Sequence, residues 1–279
     1  MMNEDFPTLV SSAIQKLQQK SSRDSLGNFR INPFDYNESN PLYHDECNNK
    51  KEETLLDYLR VGFGEFGSVF VIVFLSCMGC TAGLSEETAS ALQKCITGGL
   101  SVMAAIQIFG HISGAHANPS VTLSAYLMNV IDAKKAVLYV VCQIFGGLTG
   151  YAVLLYLTPK VYIQSPTHCV TSPNPNISLQ QAFLVEVVIT FILCIAINAA
   201  WDERCMKQLD SFSLRIGLIV TACALAAGPY TGASMNPARS LAPAMWQKNY
   251  ESLQIYIFGP LLGGALSGLF YRHILLEKD

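Results

Sequence analysis

The chain has 279 residues, of which 51% are hydrophobic and only 14% are charged, and its formal net charge is −3. This composition is too apolar for an ordinary soluble domain, and without a basic excess the chain offers no surface for a nucleic-acid partner. We therefore expect a protein that crosses the membrane several times.

The chain begins with a polar segment that contains no long apolar run. Residues 1–56 are therefore predicted to be a disordered cytoplasmic tail, followed by a membrane domain over 57–275 and a short cytoplasmic tail over 276–279. In the membrane domain, six apolar stretches approach the roughly 20 residues that a helix needs to cross the bilayer. They lie at 61–80, 92–112, 135–157, 179–200, 213–230 and 254–272.

Two shorter apolar stretches, 119–128 and 237–246, lie between the long ones. With about ten residues each they would rise roughly 15 Å as helices, which is half of a crossing. Both follow an Asn-Pro pair, and because Asn is a favoured N-cap and Pro suits the first helical turn, each pair is predicted to start a re-entrant half-helix after an extended, non-helical segment. The two motifs are Asn118-Pro119-Ser120 and Asn236-Pro237-Ala238.

The Asn-Pro motifs belong to an internal repeat. Asn118 and Asn236 are 118 residues apart, and two intramembrane carboxylates, Glu65 and Glu186, are 121 residues apart. Because each half holds an odd number of crossings, the second half enters from the opposite side and the half-helices meet near the midplane. Their N-termini carry partial positive charge, so we expect this midplane to exclude cations and protons while a neutral hydroxylic molecule passes.

Four ionisable side chains accompany the repeat. One interpretation of Glu65 and Glu186 is a proton relay or an ion site. The alternative is that they accept hydrogen bonds from backbone N–H groups of the re-entrant segments, and their occurrence once in each half favours this supporting role. His116, which precedes the first motif, is likewise predicted to brace its loop. Arg239 follows the second motif and stays charged at any ordinary pH, so we expect it to face a pore, donate hydrogen bonds to substrate oxygens and repel cations.

Positive charge predicts the orientation of the chain. Most of its 18 Lys and Arg residues lie in segments that share a side with the N-terminus, so both termini are predicted to be cytoplasmic in a multi-pass protein of the cell membrane. The opposite side holds Lys94, Lys160, Arg239 and Lys248. The 158–178 connection on that side contains the triplet Asn176-Ile177-Ser178, which makes Asn176 a candidate for glycosylation.

The nine cysteines are scattered along the chain. Cys77 and Cys80 form a lone C-x-x-C in a predicted helix, and without a second pair or a His cluster we interpret them as small buried apolar side chains rather than metal ligands. No Ser, His or Asp stands in a motif typical of an enzyme. We therefore expect neither a metal, nor a cofactor, nor catalysis.

At these residues the chain resembles the aquaporin, or major intrinsic protein, family over about 58–275. The resemblance is carried by the run from Gly110 to His116, the run from Met235 to Ser240, and the two helix glutamates. It implies an all-α membrane protein with six transmembrane helices and two re-entrant half-helices in an inverted repeat. It also implies a pore in every subunit, a homotetramer, and passive flow in both directions across the lipid bilayer.

The resemblance also locates a selectivity constriction. By counting from the Asn-Pro motifs, the positions where water-selective members carry an aromatic and a His correspond to Gly98 and Ala224, and these are joined by Ala233 and Arg239. A one-residue slip would place Thr97 or Cys223 there instead. In either register two bulky side chains are missing, so the constriction is expected to be wider and less polar than in a water channel.

This combination resembles the insect entomoglyceroporins, which are described as relatives of water channels that became glycerol and urea channels. Ser120 departs from the usual Ala of the family, which is a small change that we expect to be tolerated. The leading hypothesis is thus a channel for water, glycerol and urea, and the alternative is a water-selective aquaporin. A proton-coupled transporter using Glu65 and Glu186, or an adhesion-type member without pore activity, remains open at this point.

Overall fold

The computed structural model describes residues 53–81, 84, 89–163, 165–202, 204–205 and 211–276. Most of the predicted N-terminal tail and the last three residues of the predicted C-terminal tail lie outside the described residues.

Six helices are long and apolar enough to cross a membrane in the part of the chain that the structure describes. Between the second and third of them, and again between the fifth and sixth, lies one short helix. In chain order the helices are α1 (Leu55–Met78), α2 (Ala91–Ser113), α3 (Pro119–Leu127), α4 (Ala133–Leu157), α5 (Leu179–Trp201), α6 (Phe212–Thr231), α7 (Pro237–Gln247) and α8 (Leu253–Phe270). A π-helical turn, Tyr271–Leu275, extends α8, and a 3-10 turn, Lys160–Tyr162, follows α4. The predicted fold of six crossings and two half-helices is confirmed.

Local capping decides where the helices begin. Thr54 caps α1, because its hydroxyl accepts the backbone N–H of Asp57 while the Asp57 carboxylate accepts the backbone N–H of Thr54. This capping box starts α1 at Leu55 rather than at residue 61, where the apolar stretch begins. Asn118 and Asn236 cap α3 and α7, and in each case the side-chain oxygen accepts backbone N–H groups of the first turn.

Glycines let the helices of each repeat approach closely. A Cβ at Gly146 of α4 would overlap the carbonyl oxygen of Phe66 in α1, and a Cβ at Gly263 of α8 would overlap the carbonyl oxygen of Val187 in α5. The α1–α4 and α5–α8 pairs are therefore packed backbone against backbone, in the manner of membrane helices whose interfaces are rich in small residues.

Each half-helix packs against a long helix of the other repeat. Helix α3 of the first repeat packs on α8 of the second, where a Cβ at Gly264 would overlap Ser120. Helix α7 of the second repeat packs on α4 of the first, where a Cβ at Gly147 would lie 3.1 Å from the carbonyl oxygen of Ala238. Each half-helix is thus held by the last helix of the other repeat.

A disulfide joins Cys77, at the end of α1, to Cys169, which lies 92 residues further along in the α4–α5 connection. Interpreting Cys77 as a small unbonded apolar side chain was therefore wrong. The apolar context was correct, since Cys77 is fully buried, but a bond partner so distant in sequence leaves no local signal.

Candidate functional site

A cavity of about 850 Å³ lies inside the helical bundle. At one end its wall includes Tyr162 and Thr167, which lie in the α4–α5 connection before α5 begins. At the other end it includes Trp201, where α5 ends, and Phe212, where α6 begins. Because α5 crosses the membrane between these two groups, the cavity has lining residues on both sides of the membrane. The two segments that precede the half-helices line its middle.

The backbone of these segments differs from the extended form that the sequence suggested. In each segment, two consecutive residues with positive φ are followed by one residue of ordinary φ and then by a third of positive φ; the positive values belong to Gly114, Ala115, Ala117, Gly232, Ala233 and Met235. The prediction of non-helical backbone was correct, but the prediction of extended backbone was wrong. The physical reason is that residues of positive φ beside one of ordinary φ turn neighbouring N–H groups toward one side, where they form a concave site for an anion.

In the first repeat, the anion is the side chain of Glu65, which is fully buried. Its Oε1 accepts the backbone N–H of His116 at 2.9 Å, and its Oε2 accepts the backbone N–H of Ala117 at 2.9 Å. The Ser113 hydroxyl and the Gln143 amide each donate a further bond of 2.7 Å. The carboxylate is therefore saturated by donors of its own protein.

The second repeat reproduces this arrangement around Glu186, which is also fully buried. Its Oε1 accepts the backbone N–H of Ser234 at 3.0 Å and the hydroxyl of Thr231 at 2.7 Å, and its Oε2 accepts the backbone N–H of Met235 at 2.9 Å. Because both carboxylates are engaged by a re-entrant segment, each can hold the positive-φ backbone in place.

The two Asn-Pro motifs are joined across the middle of the cavity. The amide nitrogen of Asn118 donates to the carbonyl of Met235 at 2.7 Å, and that of Asn236 donates to the carbonyl of Ala117 at 2.8 Å. An Asn amide has two N–H groups, so one on each side chain is left over. Both side chains line the cavity, with their half-helix N-termini beside them.

The four residues assigned to a constriction all line this same cavity: Gly98, Ala224, Ala233 and Arg239. Thr97 and Cys223, the residues of the shifted register, are not among the described residues that line this cavity. Arg239 donates through Nη1 to the backbone carbonyl of Cys169 at 3.1 Å.

His116 is buried beside the cavity. Its Nδ1 lies 3.3 Å from the Thr122 hydroxyl, and its ring packs against the rings of Tyr139 and Trp201 at centroid distances of 5.1 and 5.2 Å. The side chain therefore connects its own loop to α3, α4 and α5.

The sequence profile of the family described as Major intrinsic protein matches residues 52–271. The chain belongs to the major intrinsic protein family. The lens fiber major intrinsic protein of Lithobates pipiens is 36% identical to it over 221 residues, which are 79% of this chain and 83% of the relative. That of Oryctolagus cuniculus is 34% identical with the same coverage.

Among solved structures, the X-ray structure of the aquaglyceroporin from Plasmodium falciparum matches with a TM-score of 0.70 at 27% sequence identity. The match covers 78% of this chain and 97% of that chain. The resemblance to the aquaporin family is thereby confirmed, and this major intrinsic protein is a membrane channel of the kind that conducts water and small solutes.

Three residues that hold the re-entrant segments of this major intrinsic protein or their glutamates were not predicted from the sequence: Tyr139, Gln143 and Tyr256. Tyr139 donates to the Ser113 carbonyl at 2.8 Å, and Tyr256 donates to the Thr231 carbonyl at 2.8 Å, so the two tyrosines are equivalent in the repeat. Their offset of 117 residues was the signal that could have found them. Gln143 has no such counterpart in these contacts and carried no signal.

The α4–α5 connection of this major intrinsic protein is tied down near the cavity. His168 contacts the Thr81 hydroxyl through Nε2 at 3.2 Å and the Tyr151 hydroxyl through Nδ1 at 2.9 Å. Burial lowers the pKa of His168, because it disfavours the charged ring. Asn176 lies in the same connection and is exposed.

At the other end of the cavity, Asp202 follows α5 directly. Hydrogen bonds from Arg204 lower the pKa of the Asp202 carboxyl to about 2, with a smaller contribution from the hydroxyl of Tyr271. The carboxylate thus stays ionised and anchors the start of the α5–α6 connection.

Proposed function

We propose that this protein is a passive channel for water and small uncharged solutes, glycerol and urea above all, and that it excludes ions and protons. The observation that carries the proposal is the open space beside Gly98, where an added Cβ would meet no atom within 4 Å. With Ala224 and Ala233 as the other small residues, Arg239 is the one charged side chain among the four assigned to the constriction. Such a wall suits glycerol, which presents hydroxyls on one edge and C–H groups on the other.

The proposed exclusion of cations rests on the middle of the cavity. Two half-helix N-termini and the remaining N–H groups of Asn118 and Asn236 present partial positive charge there, and Arg239 adds a full charge. A neutral molecule can accept these hydrogen bonds, whereas a cation or hydronium meets a repulsive potential. The aquaglyceroporin from Plasmodium falciparum, with which the fold is shared, supports the solute class.

The alternative is a water-selective aquaporin. It requires that the space beside Gly98 and Ala224 be too narrow for glycerol despite its small side chains. The proton-coupled transporter has less support, because Glu65 and Glu186 are already saturated by backbone and side-chain donors. An enzyme is not proposed.

Stopped-flow measurements on proteoliposomes separate these functions. We expect the purified protein to raise water, glycerol and urea permeability above that of empty vesicles, with no conductance of Na⁺, K⁺ or protons. Water flux without glycerol or urea flux would establish the alternative. The Ala224→His variant restores a bulky polar side chain and should reduce solute flux far more than water flux, with Ala226→His on the exposed face of α6 as its control.

The resemblance also leads us to propose a homotetramer in the cell membrane with both termini cytoplasmic. Asn176 is then on the outer side and available for glycosylation. Treatment with an N-glycosidase should increase the electrophoretic mobility of the protein from a eukaryotic host, and the Asn176→Gln variant should show no such change. A glycan on an engineered site near the N-terminus would contradict this orientation.

A further inference from the structure

Among the described residues, the hydrogen bonds of the Arg239 guanidinium go to acceptors of one residue, Cys169, which the disulfide joins to Cys77. The first acceptor is the backbone carbonyl of Cys169, at 3.1 Å from Nη1. The sulfur of Cys169 is also 3.5 Å from Nη2 of Arg239. The disulfide therefore links α1 covalently to the residue that accepts hydrogen bonds from the guanidinium.

Cys169 adopts an unusual backbone conformation. Its φ is 59°, in the left-handed region, which is unfavourable for a residue with a Cβ. Such a conformation persists only where the surroundings impose it. Here the neighbouring His168 carbonyl accepts the Tyr151 hydroxyl at 2.8 Å, and the disulfide fixes the Cys169 side chain to the buried Cys77. The constraint turns the Cys169 carbonyl toward Arg239.

No carboxylate among the described residues forms an ion pair with Arg239. Because the side chain is long and only half-buried, its guanidinium position depends on its hydrogen bonds to Cys169 rather than on an ion pair. The space beside Gly98 is open on the same cavity wall. A guanidinium released from Cys169 would therefore have room to move into the cavity.

We propose that the Cys77–Cys169 disulfide sets the solute selectivity of the channel by fixing the Cys169 carbonyl and, through it, Arg239. The inference rests on the proposed function, and it makes both cysteines positioning residues for the constriction. When the bond is broken, Arg239 gains freedom to occupy the cavity, so passage of glycerol falls more than passage of water. Reduction by a dithiol supplies the two electrons and two protons that convert the bond into two thiols, and the dithiol itself becomes a cyclic disulfide.

The first test establishes the bond in the purified full-length protein. Alkylation without reductant, followed by mass spectrometry, should leave Cys77 and Cys169 unmodified, and both should become alkylated after dithiothreitol and unfolding. If both are alkylated in the unfolded protein without prior reduction, the bond does not form and the proposal is overturned.

The second test compares glycerol and water flux in proteoliposomes before and after dithiothreitol. The glycerol-to-water ratio should fall by about threefold to tenfold, the range expected for the loss of one hydrogen bond. Cys77→Ser should show the reduced ratio without treatment and no response to the reductant, whereas the matched variant Cys80→Ser should respond like the wild type. A merely structural disulfide would lower thermal stability or the amount of folded protein, but both fluxes would fall together and the ratio would stay constant.

Arg239→Ala tests whether the effect passes through the guanidinium. In this variant, dithiothreitol should no longer change the ratio; a response as large as that of the wild type would overturn the proposal. If Cys77→Ser does not fold, the response of the wild type and its absence in Arg239→Ala still decide the question. If the wild type conducts water alone, the proposed solute class fails. The disulfide proposal then predicts the same threefold to tenfold loss in water flux on reduction. Water flux that does not change on reduction would overturn the disulfide proposal.

Discussion

At the scale of single residues, the proposed selectivity depends on one charged side chain opposite small ones. Gly98 is the position where this can be tested most directly, because an added side chain meets open space rather than a neighbouring helix. Replacing a glycine inside a helix by alanine also stabilises the helix by about 0.5–1 kcal/mol. A loss of flux at this position would therefore not come from misfolding.

The series Gly98→Ala and Gly98→Leu should reduce glycerol and urea flux in steps, with water flux reduced less at each step. The physical reason is that each added methyl or isobutyl group occupies volume of the cavity that Arg239 also lines. Stopped-flow shrinkage with glycerol, urea and a non-permeant solute measures all three permeabilities. If the leucine variant conducts glycerol like the wild type, Gly98 does not lie at the constriction.

Glu65 and Glu186 lead to a second prediction at this scale. A Gln in either position turns one acceptor into a donor that faces backbone N–H groups, which should destabilise the protein by about 1–3 kcal/mol. Thermal unfolding in detergent should show lower transition temperatures for Glu65→Gln and Glu186→Gln, but not for the exposed control Glu251→Gln.

Glycerol uptake by the wild type should not depend on a pH gradient across the vesicle membrane. Uptake that does depend on such a gradient, and that loses this dependence in Glu65→Gln, would support a proton-coupled transporter.

At the scale of helices, the two repeats are locked together by close packing and by shared half-helices. The α1–α4 contact at Gly146 and the α5–α8 contact at Gly263 bring backbone against backbone, so neither position has room for a Cβ. Helices α3 and α7 each rest on the last helix of the other repeat. The cavity wall is therefore set in part by packing contacts between residues that do not line it themselves.

Gly146→Ala and Gly263→Ala should separate their helix pairs and destabilise the protein by roughly 1–3 kcal/mol, as expected for overpacking. The matched control is Gly110→Ala, where the added Cβ would meet its nearest atom at 3.5 Å, an ordinary contact distance. Thermal unfolding and the yield of monodisperse protein measure the effect. Equal stability of Gly146→Ala and Gly110→Ala would mean that α1 and α4 are not in backbone contact.

At the scale of the whole molecule, one chain encloses its own cavity. Both Asn-Pro motifs, both glutamates and Arg239 belong to the same chain, and described residues of this one chain line the cavity. The exposed surface of the helices is rich in large apolar side chains such as Phe63, Leu184 and Phe258, which suits contact with lipid or with other subunits. Assembly into a homotetramer is thus expected to gather four independent channels.

Mixed assemblies of wild-type and Gly98→Leu chains test this independence. If each subunit conducts through its own cavity, glycerol flux should fall in direct proportion to the fraction of Gly98→Leu chains. Native mass spectrometry of the same preparations gives the number of chains in each assembly. A fall that is steeper than linear would mean that subunits share a path or change one another's conductance.

The elements and much of the candidate site could be predicted from the sequence. The length of each apolar stretch distinguished the crossings from the half-helices. The Asn-Pro motifs and the internal repeat indicated the residues that the structure places around one cavity or beside it: Asn118, Asn236, Glu65 and Glu186. The supporting residue Gln143 could not be found in this way, because a single polar side chain in an apolar helix has no pattern that reveals its partner, whereas Tyr139 and Tyr256 recur at the offset of the repeat.

By itself, the sequence determined the membrane class, the number of crossings, the inverted repeat and the start of both half-helices, because apolar length and N-capping are properties of neighbouring residues. Only the tertiary structure decided the positive-φ backbone of the re-entrant segments, the Cys77–Cys169 bond and the acceptors of Arg239. These features depend on partners 48 to 119 residues away in the chain, and such partners meet only after the helices have packed.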